Sequence, residues 1–79
     1  MPRELNGHSD GSGLRIGIVV ARFNSYITDR MLESALARLV DLGVLDADIT
    51  VAHVPGAFEL PVTAAAMARS DNYDSVICI

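Results

Sequence analysis

Three short apolar runs alternate with two longer stretches of mixed polarity along this chain. Residues 15–20 read RIGIVV, residues 49–54 read ITVAHV and residues 75–79 read SVICI. Each is a β-branched run of strand length, and the first has almost no polar interruption, as a strand buried on both faces requires. Between the first two runs, Leu32, Ala35, Leu36 and Leu39 recur at helical spacing, so residues 28–42 are expected to form an amphipathic helix. Thr28 is placed to cap its first turn and Asp29 to meet the positive end of its dipole. Gly43 is the expected left-handed stop, after which Val44 folds back onto Leu39. Pro61 fits a helix only in its first turn, so the second helix must begin near residues 58–60 and run to about Arg69. Asp71-Asn72 is a turn. Residues 1–13, MPRELNGHSDGSG, are polar, glycine-rich and without period, and read as a flexible N-terminal arm ahead of a domain over residues 14–79.

The resulting order, β-α-β-α-β, predicts an α/β fold with a parallel sheet and helices on its faces. Right-handed crossovers, with the third strand on the far side of the first, give the strand order 2-1-3. That is the beginning of a flavodoxin-like three-layer α/β/α arrangement. Its ligand crevice lies at the carboxyl ends of the first and third strands. Chemistry is therefore expected in the loops that follow strands, at residues 21–25 and 55–59.

Composition narrows the function classes. The chain has 79 residues, 51% hydrophobic but only 5% aromatic, and a net charge of −4. Its six basic residues are all arginine and are dispersed from Arg3 to Arg69, without the concentrated footprint that nucleic acid needs. The acidic balance disfavours an anionic membrane surface, and no stretch reaches the length of a membrane span. The N-terminus lacks a signal peptide's apolar core. One cysteine, Cys78, excludes a disulfide framework within the chain and reads as a small buried hydrophobe, with a reactive thiol as the alternative. A cytoplasmic location follows as the expectation. His8 and His53 have no partners at ligand spacing, so no metal site is expected. His53 reads as a partly exposed strand residue.

In the first loop, Phe23 offers a flat face on which a planar heterocycle can stack, and Asn24 offers both donor and acceptor groups. The competing reading is that Phe23 plugs the core and Asn24 makes a local turn. In the second loop, Gly56 permits unusual backbone geometry and close approach of a ligand. Ala57 and Phe58 would present free main-chain amides at a helix start, and Glu59 could accept bonds from sugar-like hydroxyls. Here the competing reading is a structural turn in which Glu59 serves only as a helix-start carboxylate. The loop after the first strand has neither the acidic pair of a receiver domain nor the Ser/Thr-rich phosphate loop of a flavodoxin. Gly11-Ser12-Gly13 precedes a strand and is no dinucleotide fingerprint.

Together, Gly17-Ile18-Val19-Val20-Ala21-Arg22-Phe23-Asn24, Ile27-Thr28, the block from Val54 to Pro61 (VPGAFELP) and Tyr73-Asp74-Ser75-Val76-Ile77-Cys78 resemble the 6,7-dimethyl-8-ribityllumazine synthase family. The resemblance covers residues 15–79. The Arg-Phe-Asn and Pro-Gly-Ala-Phe-Glu blocks in this order carry its specificity. It implies condensation of 5-amino-6-(D-ribitylamino)uracil with 3,4-dihydroxy-2-butanone 4-phosphate, with release of water and phosphate, in riboflavin biosynthesis. No metal or organic cofactor is implied. Phe23 matches the residue that stacks on the pyrimidine. Ala57, Phe58 and Glu59 match the segment that holds the ribityl chain and the ring edge.

The resemblance also implies what these residues lack. The family's acid–base histidine and phosphate contacts come from a Gly- and Thr-containing loop after the third strand, beyond Ile79, and a later arginine joins them. His8, His53 and Arg22 do not match those positions, so no catalytic residue is assigned. The chain reads as the N-terminal part of such an enzyme, inactive by itself. Complete members assemble as homopentamers or larger shells with sites at subunit interfaces, and the N-terminal arm often adds to a neighbour's sheet. The alternative is a non-catalytic ligand-binding or assembly fragment of the same fold.

Overall fold

A computed structural model describes residues 2–79. The element order is β1 (Ile16–Ala21), α1 (Ser25–Asp41), a short 3-10 turn (Asp46–Asp48), β2 (Ile49–Val54), a second 3-10 turn (Ala57–Glu59), α2 (Leu60–Arg69) and β3 (Ser75–Cys78). The three strands form one parallel sheet in the order β2-β1-β3. This is the α/β, flavodoxin-like arrangement expected from the alternation of strand and helix patterns.

β1 is the centre of the molecule because it alone is covered on both edges and both faces. All six of its residues are buried, and Ile18, Val19 and Val20 are almost wholly so. Each such side chain contributes about 1.5–3 kcal/mol by leaving water. Alternation along the strand assigns the faces. Ile16 and Ile18 pack with Val44 against Leu32, Leu36 and Leu39 of α1. Gly17 points the other way: a Cβ there would lie 2.6 Å from Met67 Cε of α2 and 3.3 Å from the Tyr73 ring. The two helices therefore cover opposite faces, and Gly17 is small so that α2 can approach the sheet closely.

The apolar stripe on α1 falls where the pattern placed it, but the helix begins three residues earlier than residue 28. Asn24 adopts a left-handed conformation, φ 60°, and its carbonyl accepts from the N–H groups of Ile27 (2.8 Å) and Thr28 (3.1 Å). Thr28 is not the cap. Its hydroxyl instead donates to the Ala21 carbonyl at 2.8 Å, fastening α1 to the end of β1. Asp29 consequently lies beyond the first turn and loses the expected dipole role. The other end agrees with expectation. Gly43 is left-handed at φ 96°, its N–H donates to Val40, and the Val44 N–H reaches back to Leu39 at 3.0 Å.

β3 is tied to β1 at its base. The Arg15 N–H donates to Asp74 Oδ2 (2.8 Å), the Asp74 N–H donates to the Arg15 carbonyl (2.7 Å), and the side chains form an exposed ion pair at 3.5 Å. These hydrogen bonds, from the Arg15 backbone first and its side chain second, hold the Asp74 carboxyl below its ordinary value of 3.8. Cys78 departs from expectation: β3 is an edge strand among the described residues, and Cys78 at its end is exposed.

Candidate functional site

Parallel register brings the two candidate loops to the same end of the sheet. Ala21 is level with Val54, so β1 and β2 release their loops side by side. The ladder then continues past the strands. The Arg22 N–H donates to the Val54 carbonyl at 2.8 Å, and the Phe23 N–H donates to the Pro55 carbonyl at 3.0 Å. On the other side of β1, the Ala21 N–H donates to the Ile79 carbonyl at 2.8 Å. The Phe23 loop is thus held between the Pro55–Glu59 turn and the carboxyl end of β3.

Phe23 does not plug the core, because its side chain is 73% exposed. It projects from a loop whose backbone is fixed on three sides, by Ala21, Pro55 and the start of α1. Asn24 follows the local-turn reading, since its left-handed backbone is what starts α1. The second loop also differs in detail from expectation. Gly56 is extended, φ −157°, a conformation open to any residue, so its conformational freedom is not what the turn uses. What it leaves is space: among the described residues beyond its chain neighbours, a Cβ there would meet only Glu59 Oε2 within 4 Å, at 3.8 Å.

The 3-10 turn Ala57–Glu59 leads directly into α2. The Glu59 N–H returns to the Gly56 carbonyl at 3.2 Å and the Leu60 N–H to that of Ala57. The amides of Ala57 and Phe58 head this turn and have no acceptor among the described residues. Free leading amides are inherent to a helical start. The Phe58 ring is 99% exposed. Glu59 sits at the junction with α2 but makes no side-chain cap bond. Its Oε2 is buried and without a hydrogen-bond partner among the described residues. A buried carboxylate oxygen without a donor is costly to maintain, so this arrangement is poised to receive one.

Sequence reasoning placed no weight on the outer face at the start of α1. An open hollow of about 690 Å³ lies there, lined by Ser25, Tyr26, Ile27, Asp29, Arg30 and Met31. It holds none of Phe23, Ala57, Phe58 or Glu59. All its walls come from one helical segment, so no groups from different elements converge there on a ligand. The signal for it was present: Tyr26, Ile27 and Met31 are apolar residues outside the Leu32–Leu36–Leu39 stripe. His53 is exposed on β2. Among the described residues no group of three or more His, Cys, Asp or Glu side chains is placed to hold a metal ion, and no helix is long and apolar enough to cross a membrane.

Comparison with known proteins gives the family of the chain. The family model for 6,7-dimethyl-8-ribityllumazine synthase matches residues 13–79. A 6,7-dimethyl-8-ribityllumazine synthase of Desulfatibacillum aliphaticivorans is 51% identical over 79 residues, which are 100% of this chain and 51% of that protein. The chain therefore spans about half the length of the curated relative it matches, and it belongs to the 6,7-dimethyl-8-ribityllumazine synthase family.

Proposed function

We propose that these residues form the pyrimidine-binding half of a lumazine synthase site. That site condenses 5-amino-6-(D-ribitylamino)uracil with 3,4-dihydroxy-2-butanone 4-phosphate in riboflavin biosynthesis. Phe23 stacks on the ring. The amides of Ala57 and Phe58 set its register, and Glu59 accepts hydrogen bonds from the ribityl hydroxyls. The observation that carries this reading is the partnerless Glu59 oxygen, in a turn hydrogen-bonded through Pro55 to the Phe23 loop. A polyol supplies the hydroxyl donors that Glu59 lacks among the described residues, and an exposed aromatic on the adjoining loop suits a planar ring.

Catalysis in such a site is mainly positioning, with proton transfers for imine formation and phosphate loss. None of these residues is assigned the proton-transfer role, and residues 1–79 alone are expected to show no turnover in a condensation assay. The enzyme works in the cytoplasm without a metal or organic cofactor, as an assembly of several copies. The fully exposed Phe58 ring fits a surface that is covered when copies assemble. The decisive experiment fuses residues 1–79 to the remaining half of the D. aliphaticivorans relative. The chimaera is expected to form lumazine and release phosphate, while Glu59→Gln raises KM for the pyrimidine substrate more than it lowers kcat. A folded chimaera with no turnover, or a Glu59→Gln variant with unchanged KM, rejects the assignment.

A further inference from the structure

The composition of residues 1–13 suggests a free arm, yet the part nearest β1 is held at several points. Gly11 is buried between exposed neighbours. Its N–H donates to the Leu42 carbonyl at 2.6 Å. That carbonyl is one of those a helix end leaves without an intrahelical partner. With Gly43 bonded to Val40 and Val44 to Leu39, the carboxyl end of α1 is satisfied jointly by its own cap and by a segment from the N-terminus. The segment is also folded on itself. The Leu14 N–H donates to the Gly11 carbonyl (3.1 Å), that of Ser12 to Asp10 Oδ1 (2.9 Å) and that of Asp10 to His8 Nδ1 (3.2 Å).

Sterics point the same way. A Cβ on Gly11 would lie 2.8 Å from Val44 Cγ2 and 3.1 Å from the Leu42 carbonyl oxygen, and one on Gly43 would lie 3.0 Å from Ser12 Oγ. The two glycines stand where segment and cap cross: a Cβ on Gly11 would press on Val44, and one on Gly43 would sit at a positive φ against the Ser12 hydroxyl. Beneath the crossing is a hollow of about 120 Å³ whose apolar walls include Leu14, Ile16, Leu39, Leu42 and Val44. Val44 belongs to the core cluster with Ile16 and Ile18.

We infer that residues 10–14 form a strap fastened across the carboxyl cap of α1, sealing that end of the core and leaving residues 2–9 to reach another molecule. An arm of residues 2–9 spans about 26–29 Å when fully extended. A surface farther from Asp10 is reached only by opening the strap, which breaks the Gly11–Leu42 bond and uncovers Val44. The strap therefore sets which neighbouring surface the arm can engage.

Amide hydrogen exchange on the protein tests this. Residues 2–9 are expected to exchange like an unstructured chain, and residues 10–14 at least about tenfold more slowly. Gly11→Ala is expected to abolish that difference while β1 stays protected. Gly7→Ala, where a Cβ meets nothing within 4 Å, is expected to leave the pattern unchanged. Exchange of residues 10–14 at the unstructured rate in the unaltered protein overturns the inference, as does a Gly11→Ala variant with full protection. Should Gly11→Ala fail to fold, Asp10→Ala decides: a rise of about threefold or more across residues 10–14 supports the strap, and no change overturns it.

Discussion

Replacing Phe23 with alanine separates a binding role from a structural one, because the two predict opposite patterns. The side chain is 73% exposed, so only about a quarter of the roughly 1.5–3 kcal/mol available from burying a phenylalanine is realised in the folded chain. Phe23→Ala is therefore expected to cost about 0.4–0.8 kcal/mol of stability. Its backbone N–H bond to Pro55 survives the substitution, so the loop keeps its path. Stacking of a base on an aromatic ring is worth about 1–3 kcal/mol by alanine substitution. The affinity for a ribitylaminouracil analogue should then fall about 5- to 150-fold. Urea unfolding and calorimetric titration of the same samples, in the chimaera with the relative's remaining half, give both numbers. A loss of more than about 2 kcal/mol in stability, with affinity unchanged within about twofold, would show that the ring supports the fold and would refute the stacking argument.

Three further outcomes follow from the packing. Ile18→Ala, at the fully buried centre of β1, is expected to cost about 2–5 kcal/mol, read from the denaturant midpoint. Gly43→Ala places a side chain at φ 96° and is expected to cost about 1–2 kcal/mol; an unchanged midpoint would mean that the cap tolerates other geometries. The Asp74 carboxyl is held below 3.8 by Arg15, so the stability it adds is fully present above pH 3.8. It is lost as pH falls through the lower folded-state value. Unfolding midpoints measured from pH 6 downward should show this acid-dependent loss shrinking in Asp74→Asn, and an identical profile would remove Asp74 from the account.

Much of this molecule was legible as local pattern. The strands, the apolar stripe of α1, the Gly43 stop and the position of Pro61 all follow from side-chain period and backbone restriction, which act within a few residues. Strand alternation with helices and the handedness of crossovers, once the third strand is placed on the far side of the first, give the 2-1-3 order that the sheet has. What depended on residues distant in sequence was not legible. α1 starts at Ser25 because the Thr28 hydroxyl finds a carbonyl of β1 and Asn24 accepts a left-handed turn. The exposure of Phe23, the lone oxygen of Glu59 and the seating of Gly11 on Leu42 likewise exist only once separate segments meet. Residue type and spacing determine which groups are available for chemistry. Whether a given group is satisfied, covered or left waiting for a partner is decided by neighbours that only the tertiary structure brings within hydrogen-bond range.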